Sequence, residues 1–149
     1  MHPKLQVANY GMGGHYDTHM DPNGFMEGET PKADMDGKKW SYYKATGDRI
    51  ATFMVYLSEV KYGGRTVFPS LGLSSEPEKG SAVFWINLAN TARRDRLTYH
   101  GGCPVLLGSK WITNKWILYF DQMMSDAYKC ALKPGKYDIY TRWRKSQSI

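Results

Sequence analysis

The chain has 149 residues, of which 42% are apolar, 14% aromatic and 23% charged. This length suits one domain, and the apolar content excludes a disordered chain, which could not bury a core. The formal charge of +6 is dispersed and not gathered into the stripe typical of nucleic-acid binders. No apolar run approaches the roughly 20 residues that a membrane helix needs. We therefore predict no nucleic-acid partner and no membrane span.

Short alternating apolar stretches separated by glycines predict a mainly β protein of about eight strands. In the first stretch, Leu5, Val7 and Asn9 share one face, and a glycine-rich turn over 11–14 follows. The stretch 49–57 is apolar on both faces, so we expect it to be a central strand. The expected strands span 5–10, 15–21, 49–57, 66–68, 81–86, 105–107 and 110–120.

The domain organisation predicted from these patterns is a core over 1–124, a long polar insert over 22–48 and a C-terminal tail over 125–149. A loop as long as the insert is uncommon in a compact domain, and both a lid and a spacer remain open. The N-terminus has no apolar signal region. The tightest basic groups are Arg93-Arg94-Asp95-Arg96 and the tail residues Arg142, Arg144 and Lys145, which leave a neutral or mildly anionic peptide partner open.

The segment His15-Tyr16-Asp17-Thr18-His19-Met20-Asp21 places metal-binding side chains at every second residue. In an extended strand residues i and i+2 lie on one face, so a His-x-Asp pair can bind one ion. With a distant histidine, the pair forms the facial triad of non-haem Fe(II) oxygenases. We expect His100 to be that histidine, since His2 lies at the terminus. The spacing does not choose between the two pairs, and zinc in a hydrolase could use the same ligands.

A resemblance to a known family is carried by four stretches, LQVANYGMGGHYDTHMD, RIATFMVYLSEVKYGGRTVFP, KGSAVFWINL and HGGCPVLLGSKWITNKWI. In this order they resemble the catalytic domain of the collagen prolyl 4-hydroxylase α subunit, over roughly residues 4 to 118. The resemblance implies a double-stranded β-helix, the jelly-roll or cupin-like fold. It also implies Fe(II), 2-oxoglutarate as co-substrate and L-ascorbate as reductant.

The same resemblance assigns roles to individual residues. It implies that His19, Asp21 and His100 bind the metal, with His15 and Asp17 as bystanders, and that Lys110 binds the distal carboxylate of 2-oxoglutarate. A lysine suits that role because it supplies a point charge on a flexible stem. The resemblance further implies that Tyr10 and Thr66 line the co-substrate pocket, that Trp116 lies near it and that Arg49 holds the peptide substrate.

The implied function is hydroxylation of peptidyl proline at C4 in collagen-like X-Pro-Gly sequences, with release of succinate and CO2. Kinship also implies the endoplasmic reticulum lumen, a protein disulfide isomerase subunit as partner and a disulfide between Cys103 and Cys130. Since the sequence starts almost at the first core strand, whereas family members carry further elements upstream, we expect an exposed apolar face. The alternatives are a non-catalytic collagen-binding or assembly fragment, a hydroxylase of non-collagen prolines, and a zinc hydrolase, which would have no use for Lys110.

Overall fold

The computed structural model describes residues 4–24, 41–42, 46–89 and 93–119. Within these ranges the chain forms ten strands, most of them short. They are β1 (Gln6–Tyr10), β2 (Tyr16–His19), β3 (Arg49–Tyr56), β4 (Tyr62–Gly63), β5 (Thr66–Phe68), β6 (Leu73–Ser75), β7 (Ala82–Ile86), β8 (His100–Gly102), β9 (Val105–Leu107) and β10 (Lys110–Leu118). Single 3-10 turns follow β5 (Pro69–Leu71) and precede β8 (Arg96–Thr98).

The described strands pair antiparallel throughout and form two four-stranded sheets and a small ribbon. The first sheet has the order β1-β10-β3-β7, the second has the order β2-β8-β5-β6, and β4 pairs with β9. The prediction of a mainly β, jelly-roll fold is confirmed.

Most predicted strands are present within one or two residues of their expected bounds. Three strands were not predicted: β4, β6 and β8. They have only two or three residues each, too few for an alternating pattern to be visible in the sequence. The predicted strand over 15–21 is shorter than expected and ends at His19. Asp21 therefore lies beyond the strand, in the loop that follows it.

The core lies on the inner face of the first sheet, against the second sheet. Strand β3 is central, between β10 and β7, as predicted. Its inner residues Thr52, Met54 and Tyr56 are buried. The apolar core consists of Met54, Tyr56, Phe68, Trp85 and Ile112. On the outer face of β3, Phe53 is 42% exposed.

The outer face of the first sheet is apolar and open to solvent, as expected from the sequence. Phe53 of β3 lies opposite Phe84 of β7 in the antiparallel register. Both are exposed, and so are Val7, Ile86 and Trp111 on the same face. The first-strand prediction is confirmed here, since Val7 points outward while Tyr10 packs against the core.

The predicted division into core, insert and tail lies largely outside the described residues. Most of the segment 22–48 and all of 125–149, including Cys130, are not described, so the domain bounds and the disulfide of Cys103 stay predictions. No helix in the described part of the chain is long and apolar enough to cross a membrane.

Candidate metal and co-substrate site

A cavity of about 440 Å³ lies between the inner faces of the two sheets. Its walls come from β1, β3, β7 and β10 of the first sheet and from β2, β5 and β8 of the second. All eight residues singled out from the sequence line this one cavity: Tyr10, His19, Asp21, Arg49, Thr66, His100, Lys110 and Trp116. The fold thus brings together residues that are up to about a hundred positions apart in the chain.

Three of these residues form a cluster able to bind a metal ion. One ligand atom from each of His19, Asp21 and His100 lies within 4.8 Å of the others. Asp21 Oδ1 is 3.6 Å from His19 Nε2 and 3.9 Å from His100 Nε2. The register of β2 against β8 places the two histidines directly opposite each other, with ring centroids 4.4 Å apart.

Backbone hydrogen bonds fix the orientation of both imidazoles. His19 Nδ1 is 2.8 Å from the carbonyl oxygen of Asp17, and His100 Nδ1 is 2.8 Å from that of Thr98. A carbonyl oxygen only accepts, so each Nδ1 carries the proton and donates it. Nε2 of each ring then faces Asp21, and in a neutral imidazole this nitrogen is left to bind a metal ion, which is the arrangement that metal-binding histidines usually have.

The electrostatics of the cluster favour a neutral His100 and an ionised Asp21, whereas they favour the protonated form of His19. Burial lowers the pKa of His100 and outweighs the nearby Asp21 charge, so this imidazole is neutral at pH 7. Burial alone would raise the pKa of Asp21, but hydrogen bonds from His19 and Thr52 and the neighbouring His100 lower it overall. For His19, burial lowers the pKa, yet its contacts with Asp21 and the Asp17 carbonyl raise it overall.

The first His-x-Asp pair, His15 and Asp17, does not contact His100. His15 Nε2 is 3.6 Å from Asp17 Oδ1, and the two side chains are 54% and 97% exposed. His15 Nδ1 lies 3.1 Å from the Gly13 carbonyl. The structure therefore joins the second His-x-Asp pair, and not the first, to the distant histidine.

Two buried residues that the sequence analysis did not single out hold Asp21. Thr52 on β3 donates a hydrogen bond to Asp21 Oδ2, and Asn87 Nδ2 donates to Thr52 Oγ1 at 2.8 Å. Thr52 and Asn87 are 0% and 1% exposed. The signal that could have identified Thr52 is its hydroxyl on the inner face of an otherwise apolar strand.

The loop that carries Asp21 is also tied to the start of β3. Arg49 Nη1 donates to the backbone carbonyl of Asp21 at 3.1 Å, and its guanidinium carbon lies 3.8 Å from the ring centroid of Trp116. The fully buried Asp48 accepts the backbone N–H groups of Asn23 and Arg49 through Oδ1, at 2.9 and 2.8 Å. Arg49 and Trp116, predicted separately, are thus one stacked pair.

An aromatic wall packs against His100. The ring centroid of Trp85 lies 4.7 Å from that of His100, and that of Phe68 lies 5.6 Å away. Phe68 and Trp85 also pack edge to face at 5.4 Å. The sequence analysis placed both residues in strands but assigned them no role at the site. Their contacts shield His100 from water and restrict its rotation.

At the other end of the lining, Lys110 is a buried cation with no carboxylate beside it in the described part of the chain. It is 3% exposed, and its Nζ donates to Thr66 Oγ1 at 3.3 Å. The Tyr10 and Tyr56 rings lie 5.8 and 5.4 Å from Nζ. Burial lowers the pKa of Lys110 to about 8, although the nearby Cys103 opposes the shift.

Thr66 is held so that its hydroxyl proton is left for another partner. The Tyr56 hydroxyl donates to Thr66 Oγ1 at 2.8 Å, and Lys110 donates to the same oxygen. A hydroxyl accepts up to two hydrogen bonds and donates one. Thr66 and Lys110 together therefore present two donors to an anion in the cavity.

Comparisons with known proteins agree with this site. The sequence profile of the 2OG-Fe(II) oxygenase superfamily matches residues 5–118. Human prolyl 4-hydroxylase subunit alpha-1 is 47% identical over 114 residues, covering 76% of this chain and 20% of the human protein. Subunit alpha-2 of Caenorhabditis elegans is 47% identical over 116 residues, covering 76% and 19%. The chain spans about a fifth of the length of these curated relatives.

A solved structure shares the fold. The viral collagen prolyl hydroxylase of Paramecium bursaria Chlorella virus-1, in its 2OG complex, superposes with a TM-score of 0.60 at 32% identity. The superposition covers 76% of this chain and 57% of the viral one. The resemblance stated from the four sequence stretches is confirmed.

Proposed function

Since the chain belongs to the 2OG-Fe(II) oxygenase superfamily, we propose that it hydroxylates peptidyl proline with Fe(II) and 2-oxoglutarate. The reaction class is supported by relatives named prolyl 4-hydroxylases that are 47% identical over the same region. The observation that carries the proposal is the pairing, in one cavity, of a His-Asp-His cluster with a buried lysine that lacks a carboxylate partner among the described residues.

The donor set fits Fe(II). Two imidazoles and one carboxylate are the ligand combination of non-haem Fe(II) oxygenases, which leaves other coordination positions open. His19, Asp21 and His100 would hold the ion, because their Nε2 and Oδ1 atoms already converge. Thr52 holds the other oxygen of the carboxylate, so Asp21 would offer Oδ1 to the ion.

The opposite part of the lining fits 2-oxoglutarate. A dicarboxylate that contacts the metal through one end needs a buried cation and donors at the other end. Lys110 and Thr66 provide them, and Tyr10 lines the same cavity. Charge-assisted hydrogen bonds of this kind are about twice as strong as neutral ones. Burying the charge of Lys110 costs free energy, and a hydrolase with the same metal ligands would have no use for that buried charge.

When bound, Fe(II) and 2-oxoglutarate would activate dioxygen, the oxidant: one oxygen atom would go into succinate as 2-oxoglutarate loses CO2, and the other would convert a C–H bond of the substrate into C–OH. The chain's own residues supply position and shielding. Phe68 and Trp85 fix His100 and exclude water from one side of the cluster. Arg49, which stacks on Trp116, holds the peptide at the cavity, where its remaining guanidinium N–H groups can donate to backbone carbonyls of the substrate.

Finer features of the reaction belong to the same proposal. The substrate is a collagen-like X-Pro-Gly peptide hydroxylated at C4, 2-oxoglutarate is converted to succinate and CO2, and L-ascorbate keeps the iron reduced. The protein works in the endoplasmic reticulum lumen with a protein disulfide isomerase subunit. These features are supported by the likeness to prolyl 4-hydroxylase α subunits and to the viral collagen prolyl hydroxylase.

The test is 2-oxoglutarate turnover by the purified chain with Fe(II) and ascorbate, with and without a (Pro-Pro-Gly) repeat peptide. We expect peptide-stimulated succinate formation and hydroxyproline in the peptide. Asp21→Asn should abolish both products. Asp17→Asn is the matched control, because it changes the same residue type in the same spacing at a side chain that is 97% exposed.

Two outcomes would contradict the proposal. A folded protein that binds Fe(II) and shows no turnover would indicate a non-catalytic, collagen-binding role. Equal loss of activity in Asp17→Asn and Asp21→Asn would mean that the cluster at His100 is not the site of the chemistry.

A further inference from the structure

A second cavity adjoins the first. It has a volume of about 450 Å³ and is lined by Met20, Ser70, Arg94, Arg96 and Tyr99. Met20 lies between His19 and Asp21 in the chain and lines both cavities, and Tyr99 directly precedes His100. The second cavity, called here the arginine pocket, is therefore next to the metal-binding cluster and not on a remote surface.

The polar groups of the arginine pocket are suited to an anion. Among the described residues, the lining contains the guanidinium groups of the half-buried Arg94 and the exposed Arg96, and no carboxylate. The Tyr99 hydroxyl accepts a hydrogen bond from Thr18 Oγ1 at 2.8 Å, which leaves its own proton to be donated. The hydroxyl of Ser70 is a further donor.

Asp95, which lies between Arg94 and Arg96 in the sequence, forms a hydrogen bond to the backbone instead of pairing with an arginine in the described part of the chain. Asp95 Oδ1 accepts the backbone N–H of Leu97 at 3.0 Å and caps the turn Arg96–Thr98. In the ranges that the structure describes, Arg96 makes no ion pair with any carboxylate. Its charge is therefore available to a ligand.

Hydrogen bonds fix the backbone of the segment 93–95, which carries Arg94. Leu88 and Arg94 form an isolated antiparallel bridge, Ala89 N–H donates to the Arg93 carbonyl at 2.8 Å, and Asp95 N–H donates to the Asn87 carbonyl at 2.9 Å. These bonds attach the arginine segment to the chain that follows β7. The pocket is thus presented by a defined segment, which reduces the entropy lost when a ligand binds.

We propose that the arginine pocket binds an acidic side chain of the substrate peptide, close to the proline that is hydroxylated. The inference rests on the proposed function, and it names a substrate preference that the likeness to relatives does not supply. An extended peptide rises about 3.3 Å per residue, so a residue one to three positions from the proline lies within about 10 Å of it. A guanidinium group binds a carboxylate through two parallel hydrogen bonds, which a neutral amide does not match.

The first experiment measures binding and does not require turnover. Fluorescently labelled Pro-Pro-Gly repeat peptides carry one Glu at each position from three before to three after the target proline, and a matched series carries Gln. We expect at least one Glu peptide to bind about 3- to 10-fold more tightly than its Gln partner at low ionic strength. The preference should decrease in 0.5 M salt, since the pocket is partly exposed.

Variants at Arg96 then locate the effect. Arg96→Ala should remove the preference for Glu, and Arg96→Glu should reverse it in favour of a Lys peptide, each measured relative to the neutral repeat in the same variant. Lys79→Glu is the control, because it makes the same change of net charge at an exposed residue that lines neither cavity. Equal affinity for Glu and Gln peptides at every position, or an equal effect of Lys79→Glu, would overturn the proposal.

Turnover separates this inference from the proposed function. If hydroxylation occurs and kcat/KM is the same for Glu and Gln peptides in every variant, the proposed function stands and the arginine pocket is not a substrate site. If no peptide is hydroxylated but the Glu preference depends on Arg96, the pocket is a peptide site and the proposed function fails.

Discussion

Thr52 donates a hydrogen bond to Asp21 across 31 residues of chain, and this contact ties the central strand of the first sheet to the loop that carries the carboxylate. Thr52 in turn accepts a hydrogen bond from Asn87. One carboxylate oxygen is therefore held by the core while the other faces the two histidines. The position of Asp21 depends on packing within β3 as much as on the motif that contains it.

Replacement of Thr52 by valine should weaken both metal binding and the fold. The substitution keeps the shape of the side chain but leaves Asp21 Oδ2 and Asn87 Nδ2 without their partner, at a cost of about 1–3 kcal/mol in the free energy of unfolding. We expect Fe(II) affinity to fall by about 10-fold or more. Thr52→Ser retains the hydroxyl and serves as the control. Metal titration and denaturant unfolding measure the two effects, and an unchanged Fe(II) affinity in Thr52→Val would contradict the role given to this contact.

Lys110 should make the stability of the ligand-free protein increase at alkaline pH. Burial lowers its pKa from 10.5 to about 8, so between these values the unfolded chain binds a proton that the folded protein has released. The free energy of unfolding therefore rises with pH across this window, by up to about 3 kcal/mol. Lys110→Met removes the titrating group, and the difference between the two proteins isolates its contribution. Denaturant unfolding at pH 7.5 to 10 measures it, and parallel pH profiles would contradict the prediction.

The same group should make 2-oxoglutarate binding sensitive to pH. The protonated lysine binds the distal carboxylate, and a carboxylate beside it raises its pKa again. Above pH 8 binding must therefore take up a proton, and Kd should rise by up to about 10-fold per pH unit. Anaerobic calorimetry in buffers of different ionisation enthalpy counts this proton. Lys110→Arg stays charged over the whole range and should show no uptake. A Kd for the unmodified protein that is constant from pH 7 to 9 would exclude Lys110 as the anchor.

Two phenylalanines on opposite faces should differ in their effect on stability. Phe68 is 7% exposed and packs against Trp85 and His100, whereas Phe84 is 53% exposed on the outer face of the first sheet. Phe68→Ala should cost about 3–5 kcal/mol, because it leaves a cavity in the core. Phe84→Ala should cost less than about 1 kcal/mol. Thermal or denaturant unfolding compares them, and similar losses for both would mean that the outer face is covered in solution.

Several features follow from local sequence. The alternation of apolar and polar residues predicted the long strands, because a period of two is visible in a sequence when a strand has about five or more residues. The His-x-Asp spacing predicted a metal site, since residues i and i+2 share a face, but left Fe(II) and zinc open. Family resemblance supplied Lys110, Thr66, Tyr10, Arg49 and Trp116, and all of them line one cavity.

Spacing alone did not distinguish the two His-x-Asp pairs; the family resemblance pointed to His19 and Asp21, and only the tertiary structure gave each ligand its partners. Their spacing is identical, and what separates them is the register that places His19 opposite His100, 81 residues later in the sequence. The short strand β8 that creates this register has no pattern of its own. The contacts of Thr52 with Asp21 and of Trp85 with His100, and the burial that lowers the pKa of Lys110, likewise arise between strands that are distant in the chain. Hydrogen bonding, packing and desolvation depend on which strands become neighbours, and in this protein the folded sheets decide that.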